Sequence, residues 1–186
     1  PAIARVPKRG LVDRWVFQGN TRREEPLAKD DPRTQTVFVN QNKRRLPAHP
    51  LGPIQLEQVG KVQALVLDGI STDLTVTPDL TEADLPTKAI TAAAWVRVDK
   101  VIPWGAIVGA HQDNGEDEKG WLLGFHGSRF CFVVSGSNGD TRLTRVEARD
   151  PFKVGRWYHV LGTYDGKVQR LWVDGELVGE KTHEQG

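Results

Sequence analysis

The chain has 186 residues, 38% of them hydrophobic and 26% charged, and 25 Lys and Arg nearly balance 24 Asp and Glu for a net charge of +1. This length suits one domain that buries roughly 70% of its unfolded surface, and this composition is that of a soluble globular protein. No apolar run approaches the roughly 20 residues of a membrane span, so no membrane insertion is expected, and the single cysteine, Cys131, excludes an internal disulfide.

The opening Pro1-Ala2-Ile3-Ala4-Arg5 has neither an initiator Met nor an apolar signal core, which suggests a processed chain or an excised piece. Leu11 to Phe17 reads as a first short strand. Residues 18–53 are polar and punctuated by proline, an irregular loop-rich insertion with one strand around Thr36-Val37-Phe38-Val39. Ala64-Leu65-Val66-Leu67 then enters Asp68-Gly69, and Leu74-Thr75-Val76 stops at Pro78, a pattern that predicts two strands around a tight turn. Leu80 to Leu85 suits one helical turn.

Ala89 to Val98 mixes helix-favouring alanines with Ile90, Thr91, Trp95, Val96 and Val98, and is assigned as a central strand. Ala106 to Gly109, Gly120 to Phe125, Phe130 to Ser135 and Thr141 to Ala148 follow as strands, with Asn138-Gly139 as a hairpin signal between the last two. Trp157 to Tyr164 runs into Asp165-Gly166, and Lys167 to Val173 runs into Asp174-Gly175. Asp-Gly tolerates positive φ at both centres of a type I′ turn, so the pair predicts a β-meander. The fold class expected is all-β, a two-sheet antiparallel sandwich.

Eleven Lys and Arg fall in the first 50 residues against five acids. They are scattered, lack interleaved stacking aromatics and match no nucleic-acid motif, so no nucleic-acid partner is expected. Cys131 lies in the apolar run Phe130-Cys131-Phe132-Val133-Val134 and is read as a small buried hydrophobe.

Ala64 to Gly69, Trp95-Val96-Arg97, Ile107-Val108, Gly120 to Leu123, Trp157 to Gly166 and Arg170-Leu171-Trp172-Val173-Asp174-Gly175 together resemble laminin-G-like domains of the concanavalin A-like lectin/glucanase superfamily. The resemblance covers about residues 11 to 180 and is most specific from Trp157 to Gly175. It implies one concanavalin A-like jelly roll over 1–186 that lacks about two closing strands, which would leave Leu11 to Phe17 at an unpaired sheet edge. It also implies an extracellular or periplasmic location and attachment to further domains of a larger protein.

Catalytic patterns are sparse. The glucanase branch places its acids on one strand as Glu-x-Asp-x-Glu or Glu-x-Asp-x-x-Glu, whereas Glu116-Asp117-Glu118 sits in a turn-rich stretch at the wrong spacing. His183-Glu184 has no second His four positions on, and no nucleophile-elbow, phosphate-loop or Cys-x-x-Cys motif occurs. His159 reads as a hydrogen-bonded structural imidazole.

Calcium has a physical case, because Asp113, Asn114, Glu116 and Asp117 offer clustered oxygen donors and Asp73 is a candidate to join them. For a glycan ligand, Trp104, between Pro103 and Gly105, is the aromatic expected to be exposed in a turn, with His111 and Asn114 as polar neighbours. Trp95, Trp121, Trp157 and Trp172 lie in strand runs and are assigned to the core. The function expected is a non-catalytic carbohydrate- or protein-binding module of an exported protein. The alternatives are a glycan-cleaving enzyme, or an accessory domain of a hydrolase or phosphoesterase lying beyond the C-terminus.

Overall fold

Among the described residues the regular elements are all β-strands and every pairing between them is antiparallel. The computed structural model describes residues 10–18, 21–42, 45–79, 81, 83–113, 118–135 and 143–183. The chain divides into two compact units, Pro1–Leu85 and Pro86–Gly186. No helix among the described residues is long and apolar enough to cross a membrane.

The first unit holds β1 (Arg22–Pro26), β2 (Thr34–Phe38), β3 (His49–Leu51), β4 (Gln55–Val59), β5 (Val62–Val66) and β6 (Asp73–Thr75), paired as β1 with β2, β3 with β6 and β4 with β5. The stretch expected to be irregular thus contains a hairpin whose first strand, Arg-Arg-Glu-Glu-Pro, has no apolar alternation to betray it. A cross-strand contact supports it instead, the Thr36 hydroxyl donating to Glu24 at 2.6 Å, while Arg23 pairs with Glu25 along the same strand.

Leu11 to Phe17 is not a strand. Its backbone is held by asparagine side chains: Arg14 N–H donates to Asn40 Oδ1 at 3.2 Å, and Asn42 Nδ2 donates to Val12 O at 2.9 Å. Asn40 is buried and also donates to Asp13 at 2.6 Å, so the segment finds its partners without a sheet ladder.

The hairpin expected around Asp68-Gly69 is likewise absent, since β5 pairs with β4 and β6 with β3. The Asp68 carboxylate accepts from the backbone N–H of Ile70 (2.9 Å), Ser71 (2.8 Å) and Thr72 (3.0 Å) and from the Ser71 hydroxyl (2.6 Å). These donors hold its carboxyl far below the usual range, the Ser71 hydroxyl foremost. A carboxylate that captures three successive amides forms a local loop in place of a two-residue turn.

The second unit is the expected two-sheet antiparallel sandwich. Its strands are β7 (Ile90–Arg97), β8 (Ile102–Asp113), β9 (Glu118–Gly127), β10 (Arg129–Ser135), β11 (Leu143–Glu147), β12 (Trp157–Tyr164), β13 (Val168–Val173) and β14 (Glu176–Thr182). One sheet has the order β11-β10-β9-β8 and the other β14-β13-β12-β7. The Ala89–Val98 region is indeed a strand, but it lies at the end of its sheet's order rather than in the centre.

Leu123, Phe125, Phe130, Phe132 and Val134 from the first sheet meet Ala92, Tyr158, Val160 and Leu171 from the second, with Phe152 completing the core. A Cβ at Gly162 would collide with the Phe132 ring, so the sheets approach closely here because this position carries no side chain.

Of the two Asp-Gly corners of the meander, one behaves as the dipeptide predicts. Asp174 and Gly175 have φ of 51° and 89°, and Val173 sits opposite Glu176 across a two-residue turn. At the other corner only Gly166 has positive φ, and the Asp165 carboxylate accepts from the N–H of Lys167 (2.9 Å) and Val168 (2.7 Å). Asp165 therefore closes a longer loop by side-chain capping.

Gln169 is fully buried on the core side of β13. Its Nε2 donates to Phe132 O on β10 at 2.6 Å and to Thr144 O on β11 at 3.0 Å, which ties one sheet to the other. With that nitrogen donating, the amide oxygen is left to accept, so His183 Nε2, 3.0 Å away, carries the proton.

Burial foremost, and the nearby Lys181 charge, push the His183 pKa below its ordinary 6.5; the Tyr164 ring, 5.3 Å from the imidazole, adds no charge. The folded state therefore prefers neutral His183 while the unfolded chain binds the proton more readily. The contribution of His183 is complete above pH 6.5 and is lost as pH falls below it. Urea denaturation midpoints of the wild type should decline below that pH more steeply than those of His183→Gln, whereas identical pH profiles would contradict the assignment.

Candidate functional site

The side of the β14-β13-β12-β7 sheet that faces away from the core carries an ordered set of side chains. Period-two alternation buries Tyr158, Val160 and Gly162 of β12 and turns Trp157, His159, Leu161 and Thr163 the other way. On β13 the buried Gln169 and Leu171 leave Arg170 and Trp172 on that same outer side.

Strand register then sets the neighbours. Trp95 of β7 lies beside His159, Ala93 beside Leu161 and Leu161 beside Trp172, while Thr91 lies beside Thr163 and Thr163 beside Arg170. Leu177 of β14 adjoins Trp172 and is 46% exposed. Small residues at 91 and 93 keep the β7 margin of this face low beside Thr163 and Leu161.

The result is a cleft of about 470 Å³ lined by His159, Leu161, Thr163, Arg170, Trp172 and Gly175. Trp95, 49% exposed, stands at its margin with its ring centroid 5.2 Å from the His159 imidazole. Leu161 and Trp172 supply apolar surface, and His159, Thr163 and Arg170 supply polar groups. That mixture suits a ligand with both apolar faces and hydroxyls.

The charges around the cleft are paired. Arg170 contacts Asp165 at 3.0 Å and Glu180 at 2.6 Å, and Arg156 contacts Asp174 at 3.0 Å. The backbone N–H groups of Val168 and Lys167, followed by Arg170, bring the Asp165 carboxyl down to about 2. Asp174 also accepts the backbone N–H of His159 at 2.9 Å, so the turn fixes the strand that carries the imidazole. Arg97 pairs with Asp99 at 2.8 Å and lies over the Trp157 ring.

Sequence reasoning missed this site because it assigned tryptophans by type. Trp95 and Trp172 were expected in the core, yet both belong to the outer face, and the imidazole of His159 rests against Trp95 rather than inside the sandwich. Trp121 does pack against the core. The signal available was the alternation itself, since a buried Val160 and Leu171 oblige His159, Leu161 and Trp172 to face outward.

Trp104, expected to be exposed, is 50% exposed, but it belongs to strand β8 at a register shift between Ile102 and Trp104 rather than to a turn. Its ring lies 4.5 Å from His126 and 5.0 Å from the Arg145 guanidinium, and both of these partners reach Glu147 at 3.0 Å. A sugar stacked on Trp104 would compete with these contacts. His111 is exposed on β8 opposite Gly120.

Of the expected cation ligands, Asp73 and Asp113 fall among the described residues, one in each unit. Asp73 lies in β6 of the first unit and accepts from the Thr75 hydroxyl at 3.3 Å, while Asp113 ends β8. Asn114, Glu116 and Asp117 fall outside the described residues, as does the Asn138-Gly139 corner. Among the described residues no three His, Cys, Asp or Glu side chains converge as a metal site requires.

Cys131 is fully buried with Leu122 and Val133. Burial, with the Glu147 charge adding to it, pushes its thiol up to about 12. The native protein should resist an aromatic disulfide reagent at pH 8 for hours and react at once in denaturant; rapid native labelling would contradict this environment.

A family model, Laminin_G_3, described as the concanavalin A-like lectin/glucanases superfamily, matches residues 68–186. Pappalysin-1 of Mus musculus and Pappalysin-1 of Homo sapiens are each similar at 24% identity over 135 residues, which is 67% of this chain. The chain spans only 8% of the length of each. The crystal structure of HCR/D-Sa-GBL1/C superimposes with a TM-score of 0.56 at 9% identity, covering 89% of this chain and 40% of the other. At that identity the likeness concerns the fold alone.

Proposed function

The chain belongs to the concanavalin A-like lectin/glucanases superfamily, and on that footing we propose that it is a non-catalytic, glycan-binding module of a larger exported protein. The observation that carries this reading is the aromatic cleft on the outer face of the β12–β13 pair, where Trp172 and Leu161 adjoin His159, Thr163 and Arg170. Flat apolar groups beside oriented donors and acceptors are what a pyranose ring needs, since it presents C–H faces and a rim of hydroxyls.

A glucanase would need two carboxyl groups facing each other across the bound sugar at roughly 5 to 10 Å. The cleft lining contains no carboxylate, and the acids beside it are engaged, Asp165 and Glu180 with Arg170 and Asp174 with Arg156. Membership in a larger protein is supported by the small fraction of each pappalysin-1 that the chain spans. Export is supported by the laminin-G-like kinship.

The test is a glycan array probed with the labelled protein, once with calcium and once with chelator. The two conditions are paired because Asp113, Asn114, Glu116 and Asp117 are clustered in sequence and offer oxygen donors suited to a hard cation. Binding should appear, and Trp95→Ala and Trp172→Ala should each weaken it about tenfold, a loss of about 1.4 kcal/mol. Circular dichroism verifies that both variants remain folded. An empty array, or binding that ignores both tryptophans, would refute the assignment.

A further inference from the structure

The guanidinium groups at the cleft are all neutralised locally. Arg170 is held by two carboxylates, Asp165 and Glu180, Arg156 by Asp174 and Arg97 by Asp99. Four carboxylates thus face three guanidiniums, and the exposed Lys167 and Lys181 against Glu176 bring the two signs level. A sulfated or uronic-acid chain is captured by an excess of positive charge in a cleft, which raises the local concentration of the anion. This cleft lacks that excess, and an acidic sugar placed against Arg170 would have to displace Asp165 or Glu180.

We infer that the cleft takes an uncharged, linear oligosaccharide and discriminates against acidic glycans, an inference that rests on the glycan-binding reading above. Arg170 then serves as an oriented hydrogen-bond donor, its plane fixed by its two carboxylates. It donates to sugar hydroxyl oxygens, and the Thr163 hydroxyl and His159 imidazole supply further donors and acceptors along β12.

Linearity follows from the aromatic spacing. Trp95 and Trp172 stand two strands and one cross-strand row apart, about 12 Å at ordinary strand spacing and rise. One sugar ring cannot cover both, whereas a chain of several units running diagonally over Leu161 can. Ala93, beside Leu161 on β7, presents only a methyl group next to that path.

Isothermal titration of the full chain with cellohexaose, laminarihexaose and mannohexaose, and separately with hexagalacturonate and a heparin hexasaccharide, tests the inference. At least one neutral hexamer should bind, and both acidic ones should bind at least tenfold more weakly. Glu180→Gln, an exposed change that leaves Arg170 with one carboxylate, should raise the affinity for hexagalacturonate about tenfold or more.

Tighter binding of either acidic hexamer than of any neutral one would overturn the discrimination while leaving the glycan-binding reading intact, and so would a Glu180→Gln variant with no gain. Failure of all five hexamers would overturn both.

Discussion

Gln169 is the point on which the second unit turns. It is the fully buried amide of β13, and its two donated hydrogen bonds end on backbone carbonyls of β10 and β11 in the opposite sheet. A hydrophobic contact between sheets tolerates sliding, but an amide seated on two carbonyls does not. Because side chains alternate strictly along a strand, fixing Gln169 inward also fixes Arg170 and Trp172 outward. The outer cleft is therefore a consequence of how the core is pinned. Gly162, which lets the Phe132 ring lie against β12, sets the distance over which the Gln169 bridge must reach.

The outer face shows how a sandwich can order a set of side chains without loop elaboration. Its rows, Trp95–His159, Ala93–Leu161–Trp172 and Thr91–Thr163–Arg170, are dictated by ladder register alone. Rigid strands position these groups more closely than a loop would, and the Asp174 and Asp165 carboxylates lock the two turns that border them. Ion pairs such as Arg170 with Glu180 are exposed and contribute little stability. Their effect here is to orient a guanidinium and cancel its charge at the edge of the outer-face cleft.

The all-β class, the meander and the strand character of residues 90–97 were legible because local chemistry and global structure agree there. Asp174-Gly175 adopts the two positive φ values that its composition permits. Asp68-Gly69 and Asp165-Gly166 have the same letters and a different outcome, since each carboxylate finds backbone amides to cap and so builds a longer loop. A dipeptide cannot report which of these two uses its aspartate will serve. Leu11 to Phe17 misled for a related reason: Asn40 and Asn42, roughly 30 positions away, satisfy its backbone and remove the need for a neighbouring strand. The site was less legible than the fold. Residue type placed Trp172 and Trp95 inside, whereas the period-two pattern anchored by Val160 and Leu171 places them outside, and pattern prevails over average burial.

The most direct measurement is the unfolding free energy of Gln169→Leu, followed by urea, together with the amide and indole spectrum of the folded variant. Leucine fills the space but removes both inter-sheet hydrogen bonds, so the account predicts a loss of about 0.5–1.5 kcal/mol for each, about 1–3 kcal/mol in all, with shifted resonances at Trp172 and His159 on the far side of the sheet. A change within about 0.5 kcal/mol, the range of an ordinary surface substitution, with the outer-face resonances unmoved, would contradict it.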